Sequence, residues 1–191
     1  TLYMATWQKI PTLIQEQNAY PGQANQFLGR RVDRICVAYE HMQPYFPAQK
    51  LQLTGNPVRN DLPSKDTPST AKKAFHLDPQ RNCVLILGGS LGAHNINQAV
   101  LKALPALIKA NLQVLWSTGQ YYFETLQHAI PPAYQPYVQI HSFIVNMPQA
   151  YAAADLVVAR AGALSIAELC LVQKPTVLVP SPNVTADHQT K

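Results

Sequence analysis

Apolar residues in this chain fall in short runs, and the runs alternate between two spacings. Some are unbroken stretches of four or five residues bounded by glycine, proline or polar residues, the mark of strands buried on both faces. Others repeat every three or four residues, the mark of helices with one apolar stripe. From residue 83 onward the two kinds alternate without exception. Strands are predicted at 83–87, 114–117, 138–141, 156–159 and 176–179, and helices at about 93–110, 123–127, 147–153 and 163–171. In the first of these helices Ile96, Val100, Leu104, Leu107 and Ile108 share a face. Strands joined through helices predict a parallel sheet with right-handed crossovers. Ligands of such sheets sit at the carboxyl ends of the strands, so the loops at Gly88, Gly119, Phe143, Gly162 and Pro180 should share one rim.

The earlier residues are sparser. A strand at 11–14 should open onto the polar loop Gln15-Glu16-Gln17-Asn18. A helix follows at 26–32, then strands at 34–39 and 51–54, the latter closed by Gly55-Asn56-Pro57. Residues 65–70 are polar, contain Pro68 and read as a linker or a helix lead-in, with a short helix at 71–75. Three strands with little helix cannot cover a sheet on both faces. Residues 1–58 are therefore expected to be the end of one α/β domain, and residues 59–191 a second α/β domain cut short at its end. The chain opens on Thr1 and stops just after a polar loop, as a piece of a longer protein would.

Composition narrows the choice of function. With 191 residues, 47% of them hydrophobic, the chain has enough apolar surface for one good core or two small ones. No apolar run approaches the roughly 20 residues of a membrane span, and no signal peptide is visible. The net charge of +5 is not gathered into a basic run. A nucleic-acid role therefore has no support, while a phosphorylated ligand or an anionic membrane surface suits the charge. Cys36, Cys83 and Cys170 are far apart in or beside apolar segments. They read as buried thiols, and no metal-ligand spacing is present.

Three motifs carry candidate chemistry. In Val84 to Ile96 an apolar strand runs into Gly88-Gly89-Ser90 and then a helix. Such a turn leaves backbone N–H groups unpaired at a helix N-terminus, where the helix dipole also favours an anion such as phosphate. The Ser90 hydroxyl adds a donor. This is not Gly-x-Gly-x-x-Gly, and Gly119-Gln120 stand where a nicotinamide enzyme would carry a ribose-binding acid, which disfavours a dehydrogenase. The second motif runs from Arg160 to Glu168. Small residues there let a ligand approach the backbone, and Glu168 can accept hydrogen bonds from two vicinal hydroxyls, as on a ribose. The plainer reading of Glu168 is a surface acid favoured near a helix start. The third, Thr185-Ala186-Asp187-His188-Gln189, holds side chains suited to sugar hydroxyls. His41, His76, His94 and His128 are expected at the surface and His141 in a structural role. Trp7, with Arg30 and Arg31, belongs either to a membrane-facing patch or to a core.

Thr54-Gly55-Asn56-Pro57-Val58-Arg59, Leu87 to Ala93, Ala161 to Glu168 and Asp187-His188-Gln189 occur in an order and spacing that closely resemble the MurG family, the N-acetylglucosaminyltransferases of peptidoglycan synthesis. Gln15-Glu16-Gln17-Asn18 resembles that family's His-Glu-Gln-Asn segment, with Gln15 in place of histidine. The resemblance covers essentially the whole chain. It implies the two-domain GT-B fold and inverting transfer of N-acetylglucosamine from UDP-N-acetylglucosamine to a lipid-linked muramyl-pentapeptide, at the cytoplasmic face of the bacterial inner membrane. It implies that Gly89 and Ser90 meet the donor diphosphate, that Glu168 meets the ribose, and that Phe143-Ile144 presents its backbone to uracil. Ala163, Leu164 and Gln189 would lie near the sugar and phosphates, and Arg59 and Asn18 would approach from the domain junction. No cofactor or metal is called for if the helix dipole and Arg59 supply the positive field. No general base is evident, and the family's glycine-rich acceptor loops and candidate histidine have no counterpart here. The chain should therefore bind donor without completing the active site. A non-hydrolysing UDP-sugar epimerase and a nucleotide-sugar-binding subunit that needs a partner chain are the competing readings.

Overall fold

The computed structural model describes residues 1–181 and Gln189. Two compact units meet in sequence between Val58 and Arg59.

The first unit begins with helix α1 (Leu2–Trp7), which buries none of its residues and so carries no stripe by which the sequence could announce it. Strands β1 (Leu13–Glu16), β2 (Arg34–Val37) and β3 (Leu51–Leu53) form a parallel sheet in that order, with α2 (Gln23–Gly29) between the first two. Alternate residues of β1 and β2 are buried, and Ile14, Ile35 and Val37 pack with Val32, Met42 and Phe46. Leu13 and Leu53, on β1 and β3, remain exposed. The expected strand at 11–14 and loop at 15–18 need correction. Gln15 and Glu16 are strand residues paired with Cys36 and Val37. Glu16 is buried despite its charge because its carboxylate accepts hydrogen bonds from Asn18 N, Asn18 Nδ2, Gly22 N and Asn25 Nδ2. A buried carboxylate is tolerable only when so fully paired. Its pairing fixes the course of the chain from Gln17 to Gly22.

The second unit is a five-stranded, wholly parallel sheet in the order β6-β5-β4-β7-β8. Its strands are β4 (Asn82–Leu87), β5 (Leu112–Ser117), β6 (Val138–His141), β7 (Leu156–Arg160) and β8 (Thr176–Val179). Its helices are α3 (Pro68–Ala74), α4 (His94–Lys109), α5 (Phe123–Ala129), α6 (Met147–Ala153) and α7 (Ala163–Val172). Successive residues of β4 point to opposite faces. Cys83 and Leu85 join Leu115, Tyr151, Val157 and Leu169 on one side, while Val84 and Ile86 join Ile96, Val100, Leu104 and Trp116 on the other. Thr67 opens α3, its side chain accepting from Thr70 N, with Pro68 at the first turn. Residues 65–70 are thus a helix lead-in. The Lys72 side chain, 6% exposed, reaches Asp155 Oδ2 at 2.8 Å and donates to the Arg81 carbonyl at 2.8 Å. Asp155 Oδ2 also accepts from Cys83 N at 2.7 Å, so one carboxylate ties α3 to the start of β4.

Two of the three cysteines depart from expectation. Cys83 is buried, and burial pushes its thiol up to about 12. Cys36 is only half-buried and Cys170 is exposed. Helix α7 is apolar around most of its circumference yet buries only Leu169, so its composition hides which face is covered. Trp7 is 78% exposed, which overturns the core reading of that residue.

Candidate functional site

All five strands of the second sheet run the same way, so the loops at Gly88, Gly119, Phe143, Gly162 and Pro180 lie along one rim. Chain order reverses direction between β4 and β7, and a crevice opens there because the flanking crossovers leave on opposite sides. A pocket of about 160 Å³ occupies this crevice. Gly89 and Ser90 line it from the loop after β4, Ser117 from the end of β5, and Phe143 and Ile144 from the loop after β6. Arg160, Ser165 and Glu168 come from β7 and α7, and Leu87, Met147 and Tyr151 complete the wall.

The loop after β4 is shaped by its neighbour. Gly89 and Gly92 both have positive φ, at 84° and 78°, and Gly92 N donates to Gly89 O at 3.0 Å. The loop after β5 lies directly behind. A Cβ at Gly92 would land on the Thr118 carbonyl oxygen, and one at Gly119 would land on the Gly92 backbone. Thr118 is in turn held by Asn97, whose Nδ2 donates to the Thr118 carbonyl at 2.9 Å and whose Oδ1 accepts from Trp116 Nε1 at 3.1 Å. Asn97 and Trp116 are fully buried, so this small polar network seats the first turn of α4 against the rim. Among the described residues no side chain caps α4 or α7. Their first-turn N–H groups therefore stay open to solvent or to an anion.

Glu168 accepts from the Tyr151 hydroxyl through Oε2 at 3.0 Å, and its Oε1 lies 4.0 Å from Arg59 Nε. Burial, reinforced by the carboxylate beside it, pushes the Tyr151 phenol well up, so it stays protonated and donates. Arg59 also lies 3.6 Å from Asp61 Oδ1. Arg160 donates to the Pro180 carbonyl at 2.8 Å, which holds a second guanidinium at the pocket. Ile144 is buried as a whole residue, and its backbone N–H and C=O take no hydrogen bond among the described residues. His141 closes β6, edge-on to Phe75, and burial pulls its pKa below the ordinary histidine value.

The structure thus gathers Gly89, Ser90, Ile144 and Glu168 around one cavity, with Arg59 beside Glu168. Ala163 and Leu164 sit on the first turn of α7 but do not line the cavity, and Leu164 is exposed. Asn18 belongs to the first unit, where its side chain donates to Glu16. Gln189 is half-buried in a turn. Asp187 and His188 lie outside the described residues. His41, His76, His94 and His128 are exposed. Sequence reasoning missed Ser117, Met147, Tyr151 and Ser165 as lining residues. Arg160 stood in the quoted motif at a strand end, and that position was its available signal.

Comparison with known proteins places this geometry. A curated protein of Parabacteroides distasonis is 48% identical over 192 residues, covering 100% of this chain and 52% of its own length. One of Bacteroides thetaiotaomicron is 50% identical over 196 residues, again covering 100% of this chain and 52% of its own length. Both are named UDP-N-acetylglucosamine--N-acetylmuramyl-(pentapeptide) pyrophosphoryl-undecaprenol N-acetylglucosamine transferase. The chain spans about half the length of these curated relatives. The crystal structure of Acinetobacter baumannii MurG superposes with a TM-score of 0.70 at 31% identity, over 98% of this chain and 51% of that one. The parallel, Rossmann-like α/β fold is of the GT-B glycosyltransferase type. Residues 83–191 match the profile of the glycosyltransferase family 28 C-terminal domain, and the chain belongs to that family.

Proposed function

We propose that the second unit binds UDP-N-acetylglucosamine, and that the full-length protein transfers its N-acetylglucosamine, with inversion, to undecaprenyl-pyrophosphoryl-muramyl-pentapeptide. One observation carries the reading: a single pocket at the crevice of the sheet gathers a glycine loop leading into an uncapped helix, a backbone N–H and C=O that no described residue pairs, and a carboxylate. Each suits a different part of the donor. The Gly89–Ser90 turn and the N-terminus of α4 face a diphosphate. The Ile144 N–H and C=O match the acceptor and donor on the edge of uracil. Glu168 takes the ribose hydroxyls. Negative charge grows on the diphosphate as the sugar bond breaks. Groups fixed against it beforehand, with Arg160 and Arg59 nearby, stabilise the transition state more than the ground state. Ala163 and Leu164, on the first turn of α7, are proposed to complete the sugar side.

Calorimetry tests the donor site. UDP is expected to bind the chain more tightly than ADP, and equal affinities would overturn the uracil assignment. Charge-assisted hydrogen bonds are worth about 1.5–3 kcal/mol each, so Glu168→Ala should weaken UDP binding by roughly tenfold or more. A variant that binds UDP as wild type does would return Glu168 to the role of a surface acid.

We also propose that the first unit meets the cytoplasmic membrane face. Tyr3, Met4, Trp7, Ile10 and Phe27 are all exposed there, and the Arg31 guanidinium stacks over the Phe27 and Tyr3 rings at 4.5 and 5.2 Å. No helix among the described residues is long and apolar enough to cross a membrane. Exposed aromatics beside basic residues favour an anionic interface. The chain should co-sediment with phosphatidylglycerol vesicles and not with phosphatidylcholine vesicles, and Trp7→Ala with Arg31→Glu should release it. Sedimentation indifferent to lipid charge or to those substitutions would end the proposal.

A further inference from the structure

We infer that Tyr151 is a positioning residue for Glu168, its hydroxyl setting the carboxylate in the orientation that reads the ribose of the donor. The inference rests on the donor-site reading above and adds to it the group that orients the acid. A glutamate side chain has three rotatable bonds, and fixing them costs rotamer freedom. If a ligand alone had to order Glu168, that cost would come out of its affinity. Here the order exists already. The hydroxyl of Tyr151, a residue 2% exposed, donates to Oε2 at 3.0 Å, and Arg59 Nε stands 4.0 Å from Oε1. The Glu168 side chain is still 22% exposed, and both residues line the same pocket. The hydroxyl occupies one lone pair of Oε2, which leaves the others for a vicinal diol.

Tyr151 is well founded for this role. It lies on α6, whose start is capped by Asn146 Oδ1 accepting from Gln149 N at 3.2 Å. Gln149 Nε2 then donates to Asp66 Oδ2 at 3.0 Å, fastening the helix to the lead-in of α3. The Tyr151 ring packs in the core with Leu85, Leu115 and Val157. Its hydroxyl has no other hydrogen-bond partner among the described residues, and burial keeps it in the donating form. A merely structural bond between α6 and α7 would have the same distance, so the test must read the ribose and not the fold.

Tyr151→Phe keeps the ring in place and removes only the hydroxyl. Binding of UDP and of 2′,3′-dideoxyuridine diphosphate is measured by calorimetry for wild type, Tyr151→Phe, Glu168→Ala and the double variant, with melting followed in each. Wild type should prefer the ribose form. Tyr151→Phe should lose about three- to tenfold in UDP affinity and almost nothing for the dideoxy form, as expected for a group acting through one hydrogen bond. In the Glu168→Ala background the same substitution should have no further effect. If wild type discriminates and Tyr151→Phe discriminates equally, the bond is only structural and the inference falls alone. If both nucleotides lose equal affinity in Tyr151→Phe, the hydroxyl acts on the pocket at large, and the inference again falls alone. If wild type binds both forms alike, the ribose assignment of Glu168 falls and this inference with it. Failure of wild type to bind UDP at all would instead overturn the donor site itself.

Discussion

Gly92→Ala is expected to lower the stability of the second unit by about 3 kcal/mol and to abolish measurable UDP binding. Two effects add. A non-glycine residue at left-handed φ costs roughly 1–2 kcal/mol, and forcing a methyl group into a filled space costs about 1–3 kcal/mol. Both apply, since Gly92 has φ of 78° and its Cβ would meet the Thr118 carbonyl. The loops after β4 and β5 would have to part, and the parting would move Ser90 away from the pocket. In a chain of this size the melting midpoint should fall by roughly 6–12 °C. Gly162→Ala is the control: its φ is −79° and its Cβ would come no closer than 3.6 Å to Ser165 Oγ, so stability should change little. Equal melting of the two variants would show that the loops are not seated back to back.

Asp155→Ala should destabilise the same unit by about 3 kcal/mol, and Lys72→Met by only about 1 kcal/mol. Removing one partner of a buried ion pair leaves the other charge stranded, and the penalty follows the partner that remains. Without Asp155, the Lys72 ammonium keeps only the Arg81 carbonyl, and Cys83 N loses its acceptor inside the fold. Without Lys72, the Asp155 side chain is 40% exposed and can turn to water. Chemical denaturation of the two variants reads the difference directly. Equal losses would mean that the carboxylate matters only as one half of the pair, and not as the knot between α3 and β4.

Most strands of the second sheet were legible in the sequence as short apolar runs stopped by a glycine, a proline or a polar residue, and β6 by the alternation Val138-Gln139-Ile140-His141. The strands predicted at 138–141 and 176–179 coincide with β6 and β8, and the helix predicted at 147–153 with α6. Their common rim followed from the alternation alone. Legibility failed where polar residues are buried. Gln15 and Glu16 look like loop, yet they are strand, because the partners that make Glu16 tolerable arrive from Asn18, Gly22 and Asn25. It failed also where a helix buries nothing, as α1 does. In the candidate site, Ser90 and Glu168 stand out by local pattern, since a glycine turn before a helix and an acid near a helix start are both short-range features. Tyr151 and Asn97 do not. Their partners lie 17 to 21 residues away on other elements, and only the folded sheet brings them together.

Strand β8 has a consequence for handling the protein. Among the described residues it pairs only with β7. Val177 and Leu178 stand exposed on it, and Leu171 and Cys170 are exposed on the adjoining helix. Apolar side chains exposed together on a strand and the helix beside it form a patch on which another copy can settle. Concentrated solutions of the chain should therefore turn cloudy from this side first. Val177→Lys would blunt that stickiness, read as lower turbidity at the same concentration.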